Sequence, residues 1–461
     1  MYINYEKIGE KLGFGKEFFY NLKVKQNLKY IEKNQKRVLK KLKNKTHLNV
    51  VFYVYDESKW KSQSVYELME KDERFNPLIV VTKNCAVEGN ANYQTEEDVK
   101  RCYKFFKNKG MRVEYGYSIT NTPHPNPPHK GRGEQFCLSH NTPQNRREQY
   151  CPYSDTQQKE KEQSAQNKDF GFIPFESFAP DIIIYSHPWY VYKTQGPVVC
   201  SKFALTFYIP YFIPASEQWH EYGLRFHQYL FRHYVPTDLV KDFYSKNMPN
   251  RGKSLKTVGH PILDNYANNQ QKEKKYIIYA PHWTVCGDNL RFGTFDWSGQ
   301  KILDFAKSHS ELNWVFRPHP LLYKFMMTSG FMKHEDIDKY YNEWKNIGIF
   351  SEGGDYTDLF NKSYCMITDC GSFLTEYFVT ENPVIHLISD KFKPNPTIKE
   401  IDKTYYTAHN IDEMYKYLED VILNKNDYKK QERRELLTKL NLNSTSSAKR
   451  IIDDILGIIY N

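Results

Sequence analysis

The chain has 461 residues, enough for two or three domains with cores of their own. Its 37 Tyr and 29 Phe exclude an unstructured chain, and a net charge of +10 asks for an anionic partner without naming nucleic acid, lipid or phosphorylated substrate. The eight cysteines form no CxxC pair and no Cys/His zinc spacing, so reduced thiols and no metal framework are expected, and no apolar run is long enough for a membrane span.

Met1–Gly15 is polar and lacks the apolar core of a signal peptide. A cytoplasmic protein is expected, peripheral at most at the inner face of the membrane. Residues 1–46 form a basic helical segment. Leu22, Leu28, Ile31, Val38, Leu39 and Leu42 recur at three- and four-residue steps, and Lys23–Lys45 holds ten Lys or Arg against one Glu. Such a helix either lies on an anionic membrane through residues 22–45 or packs on the domain edge with its charges in water.

Residues 47–265 then read as an N-terminal Rossmann-like domain. Asn49–Tyr55, Asn76–Thr82 and Met111–Tyr117 are strands, separated by helices over Ser64–Lys71, with Ser64 as cap, and Thr95–Lys109. The alternation breaks over 119–168, rich in Pro, Gln and Asn, where Thr122–Glu134 resembles a translated intergenic repeat. This is read as a disordered surface insertion, and its His124 and His129 as idle. Asp181–Tyr185 restores the strand pattern, and Phe203–Phe212 reads as another strand. Helical sequence over Glu221–His233 and a strand and turn over Leu255–Asp264 follow. The polar stretch 265–275 is a linker.

A second Rossmann-like domain, over 275–461, restarts the pattern. Strands are read at Lys275–Ala280, Asn313–Arg317, Asn346–Ser351, Tyr364–Thr368 and Pro383–Ile388. Helices are read at Ser298–His309, Asp336–Lys345, Tyr356–Lys362 and Ser372–Thr380. Two doubly wound α/β domains in series place a ligand crevice between them, beyond the carboxyl ends of their strands.

Unusual residues cluster at those ends. Thr368-Asp369-Cys370-Gly371-Ser372 joins a strand to a helix whose first amides point outward. Gly371 permits a close backbone approach, and the Ser372 and Thr368 hydroxyls add donors for a diphosphate. Asp369 suits the orientation of loop amides or of a neighbouring Arg/His pair. Arg317-Pro-His319-Pro supplies a permanent forked cation and an imidazole that donates to, or protonates, a departing phosphate. After Tyr279-Ala-Pro-His282-Trp283, either His282 or Trp283 lines the crevice, or the pair packs as an aromatic turn. Glu376, one turn into the helix after Ser372, either accepts ribose hydroxyls or is a solvated helix residue. In the first domain His187 sits best for a general base, ahead of His220, His227 and His260.

Tyr279-Ala-Pro-His-Trp283, Arg317-Pro-His319 and Ile367-Thr-Asp-Cys-Gly-Ser372 with Asn382-Pro-Val384 occur in the order found in one family. Over Gly259–Asp390 the chain resembles the CDP-glycerol glycerophosphotransferases of teichoic acid and capsule synthesis. The resemblance implies a GT-B fold, two Rossmann-like domains facing a cleft, with the nucleotide donor on the C-terminal one. It implies Arg317, His319 and Ser372 at the diphosphate, His319 close to the reaction, and transfer of glycerol or ribitol phosphate from a CDP-linked donor to a polysaccharide or lipid-linked acceptor. No cofactor is held tightly; Mg²⁺ is allowed but not demanded. Nucleic acid is not an expected partner, since no binding motif accompanies the charge. Two departures stand out. Cys370-Gly371 replaces the family's Tyr-Ser, and Phe207–Phe212 lacks the family's His-Gly-Thr-Pro base, so the base is unassigned. A nucleotide-sugar glycosyltransferase and a catalytically idle assembly module are the alternatives.

Overall fold

The computed structural model describes residues 16–86, 93–119, 171–266, 273–285, 292–442 and 446–461. Met1–Gly15, nearly all of the 119–168 insertion with His124 and His129, and most of the 265–275 linker lie outside the described residues.

Each half builds a wholly parallel sheet. In the first, β1 (Leu48–Val54), β2 (Phe75–Val81), β3 (Val113–Tyr115), β4 (Ile182–Tyr185), β5 (Leu205–Tyr208), β6 (Arg232–Val235) and β7 (Leu255–Thr257) lie in the order β3-β2-β1-β4-β5-β6-β7. In the second, β8 (Tyr276–Ala280), β9 (Trp314–Phe316), β10 (Ile349–Phe350), β11 (Ser363–Thr368), β12 (Val384–Leu387) and β13 (Tyr406–Ala408) lie in the order β10-β9-β8-β11-β12-β13. Helices cover both faces of such sheets, which is why β1, β4 and β8 read as unbroken apolar runs rather than alternating ones. Strand order reverses between β1 and β4 and again between β8 and β11. In open parallel sheets such reversals are where a ligand crevice forms.

Three local expectations are corrected. The helix expected over Glu221–His233 is confined to Arg225–Gln228, and Arg232–Val235 is β6. Adjacent β6 side chains serve opposite faces: the His233 ring lies 4.9 Å from Tyr208 and the Tyr234 ring 6.0 Å from Phe207. Ser64 does not cap its helix, which starts at Gln63; its hydroxyl donates to Asp264 instead. The strand read over Phe203–Phe212 is only Leu205–Tyr208.

The basic helix runs Lys16–Leu42 and turns Val24, Ile31, Val38 and Leu42 into the protein, where they are buried. Its apolar stripe is therefore occupied by the first domain. Lys25, Lys29, Lys33, Lys36, Arg37, Lys40 and Lys41 face outward. Insertion of that stripe into a bilayer is incompatible with this packing; only a charged outer face is left for a membrane. No described helix is long and apolar enough to cross one.

The last helix, Ser447–Tyr460, returns to the first domain. Ile451, Ile455 and Ile459 are buried in the core beneath β1 and β4, each worth roughly 1.5–3 kcal/mol. Asp264 fixes its start by accepting from the Ser447 and Ala448 amides at 2.7 and 2.9 Å. A strap closes the other side of the interdomain junction. Ser216 and Pro394 form an antiparallel bridge, Glu217 N donates to Lys393 O and Asn395 N to Ala215 O, both at 3.0 Å.

Glu221 supports the strap from below. Its carboxyl accepts from Ser216 Oγ at 2.6 Å and from Tyr244 Oη at 3.2 Å, and burial pushes its pKa up to about 8. A carboxyl whose folded pKa is raised favours the fold in its protonated form, so that contribution is lost as pH rises from the ordinary carboxylate range through about 8. Glu221→Gln cannot ionise. Its urea midpoint is expected to exceed the wild-type midpoint above pH 8 and to converge with it near pH 5. Parallel pH profiles for the two proteins would contradict this.

Candidate functional site

β8, β9 and β11 end side by side, and their following loops are stitched together by backbone bonds. Arg317 N donates to Tyr279 O at 2.8 Å and His319 N to Pro281 O at 3.0 Å. Pro318 and Pro320 supply no amides of their own and stiffen the turn. The three sequence motifs thus converge at one strand-end surface beside the second crevice.

Asp369 ties this surface together. One carboxylate oxygen accepts from His282 N at 2.6 Å; the other accepts from Thr294 N at 2.8 Å and Thr294 Oγ1 at 2.9 Å. The group is 1% exposed, and burial raises its pKa to about 6 against the lowering effect of those donors. Asp369 therefore orients loop amides and has no oxygen turned to a phosphate. Thr368 is likewise committed, and its expected diphosphate contact is withdrawn. Its hydroxyl donates to Ala280 O at 2.6 Å and accepts from Cys370 N at 2.9 Å. Gly371 is required by packing rather than by a ligand. A Cβ there would lie 2.4 Å from Phe292 and 2.9 Å from Ala215 of the first domain.

The helix Gly371–Phe378 begins without a side-chain cap, since Cys370 supplies none. Its first amides and the half-exposed Ser372 leave the positive end of a helix dipole at the crevice. One turn on, Glu376 is 3% exposed and both its oxygens are taken: Tyr266 Oη donates at 2.7 Å and Tyr356 Oη at 3.1 Å. Burial raises its pKa, opposed by Lys61 and Arg317 among others.

Arg317 completes the cluster. It is 6% exposed, donates to Ser351 Oγ at 2.7 Å and Gly353 O at 2.9 Å, and lies 4.5 Å over the Tyr356 ring. Those two bonds use two of the five N–H groups a guanidinium carries. Arg317, Tyr356, Glu376 and Tyr266 come from four separate segments. Sequence reasoning misses Tyr266, Tyr356 and Lys61, because nothing in local pattern marks them.

The two histidines of the site are neutral donors. His319 Nδ1 accepts from Leu321 N at 3.1 Å, so the ring proton sits on Nε2; desolvation lowers its pKa to about 4. His282 Nδ1 accepts from Thr284 N, and burial with a nearby His319 holds its pKa well below the ordinary value. At neutral pH His319 can donate a hydrogen bond to an oxyanion; it carries no imidazolium proton to hand over. The Trp283 ring lies 6.4 Å from His319 and 4.9 Å from Phe325, half-buried beside the turn. His282 is buried, so only Trp283 of that pair presents a surface.

In the first domain His187 stands at the end of β4, but it is 0% exposed, with the Tyr55 ring 3.5 Å away. Its Nδ1 lies 2.8 Å from Ser186 Oγ, and its Nε2 has no partner among the described residues. A Ser186 proton committed to Tyr53 O leaves the His187 proton on Nδ1 and the lone pair on Nε2, the tautomer a base needs. Tyr55 covers it in this conformation. His260 is structural: Nε2 donates to Pro210 O and Nδ1 accepts from Ile262 N. His227 is buried against His233, and His220 is half-buried at Trp189. Among the described residues no His/Cys/Asp/Glu group is arranged to hold a metal, and Cys102, Cys200, Cys365 and Cys370 are free thiols.

Asp369→Ala strands three buried donors and is expected to cost about 3 kcal/mol or more, read as a lowered urea midpoint. An unchanged midpoint would show that water replaces the carboxylate and that the loops do not depend on it.

No protein-family model matches the chain, and no curated protein sequence does. Solved structures do. The S. aureus MnaA–UDP co-structure superposes with a TM-score of 0.52 at 14% identity, over 89% of this chain and 96% of that one. A Listeria monocytogenes protein assigned as a UDP-N-acetylglucosamine 2-epimerase gives 0.50 at 15%, over 89% and 96%. A variant of the wall teichoic acid polymerase TagF gives 0.47 at 13%, over 99% and 98%, a score too low to argue from. At these identities the likeness carries the fold alone: two Rossmann-like domains in the GT-B arrangement.

Proposed function

We propose that the chain is a GT-B-type transferase that moves a polyol phosphate from a CDP-linked donor to a polysaccharide or lipid-linked acceptor. The observation that carries the reading is a preorganised cation, Arg317, beside an uncapped helix start at a strand-order reversal. Fixed donors aimed at developing phosphate charge stabilise a transition state without reorganising. The acceptor oxygen forms a bond to the phosphorus that bears the polyol. The bond from that phosphorus to the bridging oxygen breaks, and CMP departs. Arg317, the Ser372 hydroxyl and the first helix amides take the charge of the departing phosphate, and His319 Nε2–H donates to it. This arrangement neutralises a diphosphate without calling on Mg²⁺. His187 Nε2 takes the acceptor proton once Tyr55 moves aside. Glu376 meets the donor's ribose by exchanging its tyrosine partners for hydroxyls. The basic outer face of Lys16–Leu42 gives the enzyme an electrostatic hold on an anionic membrane that carries the acceptor.

A thermal-shift series tests the donor. CDP-glycerol or CDP-ribitol at about a hundredfold over Kd is expected to stabilise the protein by about 2.7 kcal/mol, an effect lost in Arg317→Ala. A shift specific to uridine or guanosine nucleotides would move the assignment to a nucleotide-sugar glycosyltransferase. No shift with any nucleotide would favour an idle assembly module.

A further inference from the structure

One residue of the first domain reaches into the donor cluster. Lys61 lies on the loop after β1, and its Nζ is 3.4 Å from Tyr356 Oη and 5.2 Å from the centroid of that ring. The Arg317 guanidinium carbon is 4.5 Å from the same centroid. Two cations, one from each domain, therefore share one aromatic ring. The carboxylate inside the cluster, Glu376, has both oxygens bonded to tyrosine hydroxyls. The other acid near Lys61, the exposed Asp355, spends an oxygen on the Thr357 amide of its own loop. The two cations face two carboxylates, Glu376 and Asp355, and the uncapped start of Gly371–Phe378 adds a positive helix end beside them. A phosphate seated beside Arg317 offers acceptor oxygens to both cations.

The loop that carries Lys61 is pinned. Trp60 is buried edge-on to Phe52 and Phe106, at 5.4 and 5.2 Å, and its indole N–H donates to Gln63 Oε1 at 2.8 Å. Lys61 thus leaves a fixed backbone and moves with the first domain as a body. Its long stem lets the ammonium shift from the Tyr356 ring to an anion seated beside Arg317.

We propose that Lys61 is the first domain's ligand for the donor diphosphate, so that the donor is held from both sides of the crevice. This rests on the donor-site reading above. Lys61 is a binding and positioning residue, and the Tyr356 ring is its resting place when no phosphate is present.

Calorimetric titration of CDP-glycerol and of cytidine into wild type, Lys61→Met and Lys61→Arg tests this. Lys61→Met is expected to weaken CDP-glycerol about ten- to a hundredfold, as loss of one charge-assisted contact does, and to leave cytidine within about twofold. Lys61→Arg is expected to recover most of the affinity. Equal CDP-glycerol affinity in wild type and Lys61→Met would overturn the proposal while leaving the donor site standing. Equal weakening of CDP-glycerol and cytidine, with a lowered melting temperature, would make Lys61 a structural latch and also overturn it. A wild type that binds no nucleoside diphosphate at all would remove the donor reading and this inference with it.

Discussion

The carboxylate of Asp369 organises the strand-end surface of the second domain. It lies buried where strand order reverses, and its oxygens hold the amides of His282 and Thr294 in place. Those amides belong to the loop after β8 and to the segment that opens the helix Phe295–Ser308. The β8 loop in turn fixes His319 through Pro281 O. Without the carboxylate three donors would be left in a dry interior, and each would seek a partner by moving its loop. The crevice-facing groups depend on this knot, in which Asp369 spends both its oxygens.

Charge balance around the knot follows from burial. Desolvation keeps His282 and His319 neutral and pulls Asp369 and Glu376 toward their protonated forms. Arg317 cannot follow them, because a guanidinium keeps its proton in any protein environment. Lys61 adds a second cation from across the crevice. The acids are bonded to amides and tyrosines rather than to these cations. The cations therefore keep N–H donors to spare, fixed in direction before any ligand arrives, which is what holding a diphosphate requires.

Much of this is legible in the sequence for reasons specific to each element. β8, β9 and β11 are short apolar runs ended by Pro281, by Arg317-Pro318 and by Asp369, and a parallel strand buried on both faces needs nothing else. Ligand crevices form at such ends, so Arg317, His319 and Ser372 can be named as candidates from sequence. Individual hydroxyls cannot. Thr368 and Ser372 look equivalent in a motif, yet one is buried and consumed by Ala280 O and the other is half-exposed. Glu221–His233 carries apolar residues at helical spacing, but its Tyr and His rings pack on both faces of β6, and tertiary packing overrides the pattern. Tyr266, Tyr356 and Lys61 carry no local signal, because their meaning lies in contacts across distant parts of the chain. The last helix reads with the second domain because nothing in an amphipathic pattern says which core it joins.

The claim at the centre of this account is that a donor diphosphate sits between Arg317 and the start of Gly371–Phe378. A crystal structure of the protein with CDP-glycerol tests it most directly. The account expects the two phosphates within hydrogen-bond reach of the Arg317 guanidinium, the Ser372 hydroxyl and the first helix amides. Density for the nucleotide elsewhere, with Arg317 still bonded only to Ser351 and Gly353, would contradict it.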